Sequence, residues 1–244
     1  MEVHHHPHVE KKSFKEYLLE GLMIFLAVSM GFIAENIREY LSEREREHVY
    51  MQNMTVDLQS DTLMYSNNKK NLAESLQMFD SLINILSRNA GERNINKAYY
   101  YARLITAKFD KLVFKEGTYD QMKSSGDLRL IHHKNVADNV ANYYNTIKII
   151  NSQNNITDYR TNEYMILANK IFDAKTMLQI FKDRKVPINS KLIIDDYKVI
   201  NEFLMQAQYF YGSLFLLAKW GSERNEKAKQ LLELINKEYH LEKE

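Results

Sequence analysis

Residues Tyr17–Ala34 read YLLEGLMIFLAVSMGFIA, the one apolar block in the chain, and the rest of the sequence is placed by how that block is read. Gly21–Ala34 is uncharged throughout, and Glu20 interrupts the longer run. A hydrocarbon core about 30 Å thick takes about 20 apolar residues in a helix. The stretch from Phe14 to Ile37 supplies that length if Lys15 and Arg38 reach outward to the headgroups. Two rival readings compete with a membrane helix. A buried core helix of a soluble domain has similar composition. A cleaved signal peptide would use Lys11, Lys12 and Lys15 as its positive region, but cleavage after Ala34 puts Phe32 where a small side chain is required. The helical pattern also runs unbroken into Glu35–Glu47. An uncleaved signal anchor is the expectation.

One face of the anchor is unusual. Glu20, Ala27 and Ala34 recur every seven residues, with Ile24, Gly31 and Arg38 interleaved. Small side chains let helices approach closely in lipid, and a charge at membrane depth faces protein rather than hydrocarbon. Glu20, Ala27, Gly31, Ala34 and Arg38 are therefore the candidate helix–helix contact, made with a second copy or with another membrane protein.

Basic residues flank the block equally, so the positive-inside rule gives no orientation. The absence of cysteine suits an oxidising compartment. The expected placement is a single pass through a bacterial cytoplasmic membrane, with the short tail in the cytoplasm and the larger domain in the periplasm.

Composition sets the remaining bounds. The chain has 33 basic and 32 acidic residues, spread along its length, so no basic face points to nucleic acid. Seven glycines and two prolines leave few turns and favour long helices. The reading is all-α: a His-rich tail over 1–13, a transmembrane helix over 14–41, a stalk and helix over 42–90, and a bundle of long antiparallel helices over 91–244. Val49, Val56 and Leu63 carry the heptad of the stalk, and Ser66–Asn71 reads as a break. Leu72, Leu76, Phe79, Ile83 and Leu86 form a packing seam that Asn89-Ala90-Gly91 closes as a glycine cap.

Further helices are expected over 95–109, burying Tyr101, Leu104, Ile105 and Phe109, and from His132 to Phe172. Between them Thr118-Tyr119-Asp120-Gln121 fits a capping box, and Ser124-Ser125-Gly126 ends that short helix. Phe181–Ser190, with Pro187, reads as a loop. A last helix spans Asp195–Tyr239 with Phe203, Ala207, Phe210, Leu214 and Leu217 inward.

The opening Met1-Glu2-Val3-His4-His5-His6-Pro7-His8, the lysines after it, and Glu20–Val28 with Gly31–Asn36 resemble an uncharacterised family of single-pass membrane proteins of Bacteroidota. Asp57-Leu58 with Asp61, Ser125–Ile131 and Tyr143-Tyr144-Asn145 are similar as well. The resemblance implies the anchor and native histidines, and it brings no activity.

The chemistry is sparse. His4, His5, His6 and His8 could hold a transition metal on a mobile chain. Glu45-x-x-His48 is half of a di-iron motif that needs a second copy, which the sequence lacks. His132 and His133 would point about 100° apart on a helix. No phosphate-binding glycine loop, His-Glu-x-x-His or cysteine nucleophile occurs. The expectation is a structural or interaction component of a membrane assembly, not an enzyme, with no cofactor. The alternative is a sensor or ligand-binding module with a pocket near Tyr143, Tyr144 and Trp220.

Overall fold

The computed structural model of the chain describes residues 13–108 and 111–241. Among them there is no strand, and the fold is all-α. Seven helices follow in order: α1 (Phe14–Leu86), α2 (Ile95–Lys108), α3 (Gly117–Ser125), α4 (Lys134–Asn145), α5 (Ile147–Ile171), α6 (Ala174–Asp183) and α7 (Tyr197–Glu238). The chain divides into two compact units, Met1–Val49 and Tyr50–Glu244.

Within the first unit the helix carries an apolar window of 18 residues, none of which is buried. A core helix would be mostly buried, and the exposure of this window speaks against that rival reading. Among the described residues, α1 is the one helix long and apolar enough to cross a membrane.

The second unit is a helical bundle. Its share of α1 buries Met51, Met54, Leu58, Asp61, Tyr65, Leu72, Ser75, Phe79, Leu82 and Leu86, an alternation of three and four that keeps one seam facing the core. Tyr65 donates to the Ala218 carbonyl at 3.3 Å and Phe79 meets Phe210 edge to face at 5.0 Å, so α7 runs antiparallel to α1. Gln153 donates to Ser213 O at 3.2 Å and Tyr164 lies 5.0 Å from Phe203, so α7 is antiparallel to α5 too. Phe79, Tyr164, Phe203 and Phe210 form the aromatic centre. Farther along, an added Cβ on Gly221 would lie 2.6 Å from Leu112 Cδ1 and 2.8 Å from Tyr65 Cε2, so a side chain there would force one of them to shift.

Several expectations are corrected. Ser66–Asn71 does not break the helix; α1 runs through it to Leu86 because Tyr65 and Leu72 on either side are both buried in the core. Val49, Val56 and Leu63 are exposed, and the seam passes instead through Met51, Met54, Leu58, Asp61 and Tyr65. Leu76 and Ile83 are half-buried beside the true seam residues Ser75 and Leu82. Gly91 sits in a 3-10 turn without a positive φ, so it is not a glycine cap. Residues 132–172 form two helices, parted at Thr146, whose hydroxyl bonds back to Tyr143 O at 2.7 Å. Tyr101 is half-buried while Ala98, Tyr99 and Ala102 fill the core; Phe109 lies outside the described residues.

The loop begins only after α6, whose N-terminus is capped by Asp173 Oδ1 accepting from Thr176 N at 2.9 Å. That loop is pinned: Ser190 N donates to Asn96 Oδ1 at 2.9 Å, Tyr99 donates to Lys191 O at 2.8 Å, and Ile193 N donates to Ile171 O at 2.8 Å.

Candidate functional site

In the first unit, every residue of the small stripe is exposed. Glu20, Ala27, Gly31, Ala34 and Arg38 lie along one helix, and Arg38 forms a bidentate ion pair with Glu35 one turn away. A Cβ added to Gly31 would meet nothing within 4 Å. Gly31 therefore leaves the helix surface bare there, with no contact among the described residues that requires it.

In the second unit, the polar chemistry gathers where α1 faces the middle of the chain. Asp57 and Asp61 are one turn apart, so both carboxylates leave the same face of α1. Asp57 Oδ2 accepts from Thr118 N at 3.2 Å and from Thr118 Oγ1 at 2.6 Å. A distant carboxylate thus supplies the acceptor at the start of α3, and the expected capping box is not formed: no side-chain cap bond comes from the helix itself. Asp61 Oδ1 accepts from Lys115 N at 2.8 Å and Oδ2 from the Tyr143 hydroxyl at 2.6 Å. Tyr50 donates to Asp127 Oδ2 at 2.9 Å. Asp127 is buried directly after Gly126, which closes α3 at φ 77° as expected for a glycine cap.

Arg224 on α7 completes the group. It is buried, and Nη1 donates to Tyr143 O and to Thr146 Oγ1, both at 2.8 Å. Those acceptors lie at the C-terminal end of α4, where the helix dipole is negative. The guanidinium carbon lies 3.8 Å from the Tyr143 ring centroid and 4.3 Å from that of Phe114, a cation–π pair of contacts. Nε and Nη2 have no hydrogen-bond partner among the described residues.

Burial pushes the Asp61 carboxyl above its ordinary value, against the opposing pull of the Tyr143 hydroxyl and the Lys115 amide. Burial likewise lowers Arg224 and raises the Tyr143 and Tyr144 phenols. Through these bonds three aspartates and one arginine join α1, α3, α4 and α7.

A cavity of about 210 Å³ lies beside it, lined by Thr146, Ile149, Ile150, Trp220, Glu223, Arg224 and Lys227. Trp220 is therefore at a cavity as the ligand-binding reading expects. Tyr143 and Tyr144 are not; they are in the core, Tyr144 stacked on Tyr119 at 4.3 Å. His132 and His133 precede α4 rather than riding on it, with ring centroids 4.0 Å apart, and His133 Nδ1 lies 3.3 Å from Glu238. Among the described residues no three His, Asp or Glu side chains are placed to hold a metal. His4, His5, His6 and His8 lie outside the described residues.

The sequence reading did not pick out Arg224. Its signal was present in the spacing: the inner face Phe203, Ala207, Phe210, Leu214, Leu217 continues at the same alternation to Gly221 and then Arg224. A cation at a core register position marks a buried charge that must find partners. Comparison of the chain with family models, with curated proteins and with solved structures returned no match.

Proposed function

We propose that this protein is a single-pass membrane component whose anchor helix binds another membrane helix, and whose bundle is held beside the membrane as an interaction domain rather than an enzyme. The observation that carries the reading is Gly31. It has ordinary helical backbone, no neighbour that excludes a side chain, and a place on a stripe with Ala27 and Ala34 that is exposed throughout. A stripe kept small along a lipid-facing helix is accounted for by a second helix packed against it. The partner is a second copy or another membrane protein. The setting is a bacterial cytoplasmic membrane, with the tail on the cytoplasmic side and the bundle in the periplasm.

The test is the double substitution Ala27→Leu with Gly31→Leu. Leucine keeps the helix apolar, so insertion is retained while close approach is lost. The expected result is a smaller assembly in mild detergent, read by native mass spectrometry. An unchanged assembly mass removes the stripe from the interface.

A further inference from the structure

A second, larger cleft lies in the bundle away from Asp61 and Arg224. It has a volume of about 880 Å³ and is walled by α2, α5, α6 and the pinned loop. That is within the roughly 300–1,000 Å³ of small-molecule sites. Its walls are mainly apolar and soft, with Met165, Ile166, Phe172, Met177 and Ile193 contributing. Met165, Ile166 and Ile193 are exposed, so the cleft opens to solvent.

Arg103 is the one charged residue in the lining. Its guanidinium lies 4.5 Å from the Phe181 ring centroid, and Arg184 lies 5.1 Å from the same ring. The two cations are close enough that Arg184 depresses the Arg103 proton affinity, adding to burial. Arg103 donates to Thr106 Oγ1 at 2.9 Å, and neither arginine has a carboxylate partner among the described residues. Two like charges meet one ring, one of them in the wall of an apolar cleft, and no carboxylate among the described residues compensates them. A ligand that brings an anionic group to them and an aliphatic body to the cleft relieves both features.

We infer that the α2–α5–α6 cleft binds a single-chain amphiphile with an anionic head, its chain lying against Met165, Met177 and Ile193 and its head at Arg103 and Arg184. The head chemistry is shared by a fatty carboxylate and an alkyl phosphate, and the assay separates them. Detergents would occupy the same cleft, so the full chain is reconstituted in lipid nanodiscs. Binding of radiolabelled octanoate and of octyl phosphate is measured by equilibrium dialysis, with empty nanodiscs subtracting partition into lipid.

The expected result is saturable binding near one equivalent for at least one of the two anions, with the tighter one naming the head. Octanol should compete at least about tenfold more weakly, the factor expected from losing a charge-assisted hydrogen bond. Arg184→Gln, at an exposed position, should weaken the anion several-fold, and Arg103→Gln by about tenfold or more. Asn169→Trp places a bulky ring in the cleft from an exposed wall position and should abolish binding. Binding that does not saturate above the blank overturns the site. Equal competition by octanol removes the role of the arginines, and full binding by both Asn169→Trp and Arg103→Gln places any bound anion elsewhere.

Discussion

The helix α1 carries two surfaces made from similar residues. From Phe14 to Leu41 its leucines, isoleucines and phenylalanines point in all directions and all are exposed. From Met51 to Leu86 its buried residues keep to one seam, and Val56 and Leu63 outside that seam face solvent. A side chain's burial along this helix thus follows register in one part and is unrelated to register in the other. An apolar surface on all sides is favoured in a hydrocarbon solvent, where every backbone group is satisfied within the helix. A seam is what a helix needs when water is on its other face.

The largest expected contrast tests that difference with one residue type. Phe79 is fully buried among Tyr164, Phe210 and Tyr211, so Phe79→Ala should lower the unfolding free energy by about 3–5 kcal/mol. Phe25, an exposed phenylalanine on the same helix, should change it by less than about 0.5 kcal/mol as Phe25→Ala. Urea titration followed by the fluorescence of Trp220, the single tryptophan, reports on the bundle in both cases. A comparable loss from Phe25→Ala would mean that the apolar part of α1 supports the bundle core.

What the sequence made legible follows the same division. The apolar block was plain because its signal is composition, which needs no register. The inner face of α7 was plain because Phe203, Ala207, Phe210, Leu214 and Leu217 are apolar at every seam position. The seam of α1 was not, because Asp61, Ser75 and Tyr65 occupy positions where a hydrophobic pattern expects leucine. Val49, Val56 and Leu63 offered a cleaner heptad on the wrong face. The continuous helix through SNNKKN at 66–71 was hidden for a related reason: tertiary burial of Tyr65 and Leu72 outweighs the low helix propensity of the asparagines between them. The candidate site was half visible. Asp57, Asp61, Asp127 and Tyr143 stood out as residues, but their pairings join positions 54 to 82 apart, and local spacing carries no information about that.

A middle-sized contrast sharpens the account of the seam. Tyr143 and Tyr144 are neighbours, both buried, both with phenols raised by burial. The Tyr143 hydroxyl is bonded to Asp61, whereas that of Tyr144 has no partner among the described residues. Tyr143→Phe should therefore destabilise by about 1–3 kcal/mol, because a buried carboxylate loses a donor. Tyr144→Phe removes an unsatisfied hydroxyl, keeps the ring that stacks on Tyr119, and should be neutral or slightly stabilising. Equal losses in the same urea titration would show that packing of the rings, not the Asp61 bond, holds α4 to α1.

The smallest expected effect is a dependence on pH at one seam position. Asp61 stands where Leu58 and Tyr65 mark the buried face, and its folded-state value is raised above the ordinary 3.8, chiefly by burial. A carboxyl that holds its proton more tightly when folded contributes stability fully below the unfolded value, and that contribution is lost as pH rises through the folded one. The wild-type chain should lose stability relative to Asp61→Asn from just below pH 3.8 upward, until Asp61 is ionised in both states. The slope is held small because Tyr143 and Lys115 both donate to the ionised form and pull the other way. Urea midpoints of the two proteins, taken at steps across about pH 3 to 7, measure it. A wild-type stability that rises relative to Asp61→Asn over that window would mean that the two donors outweigh burial. The Asp61 carboxylate would then be a net anchor of α1 to the bundle in its charged form.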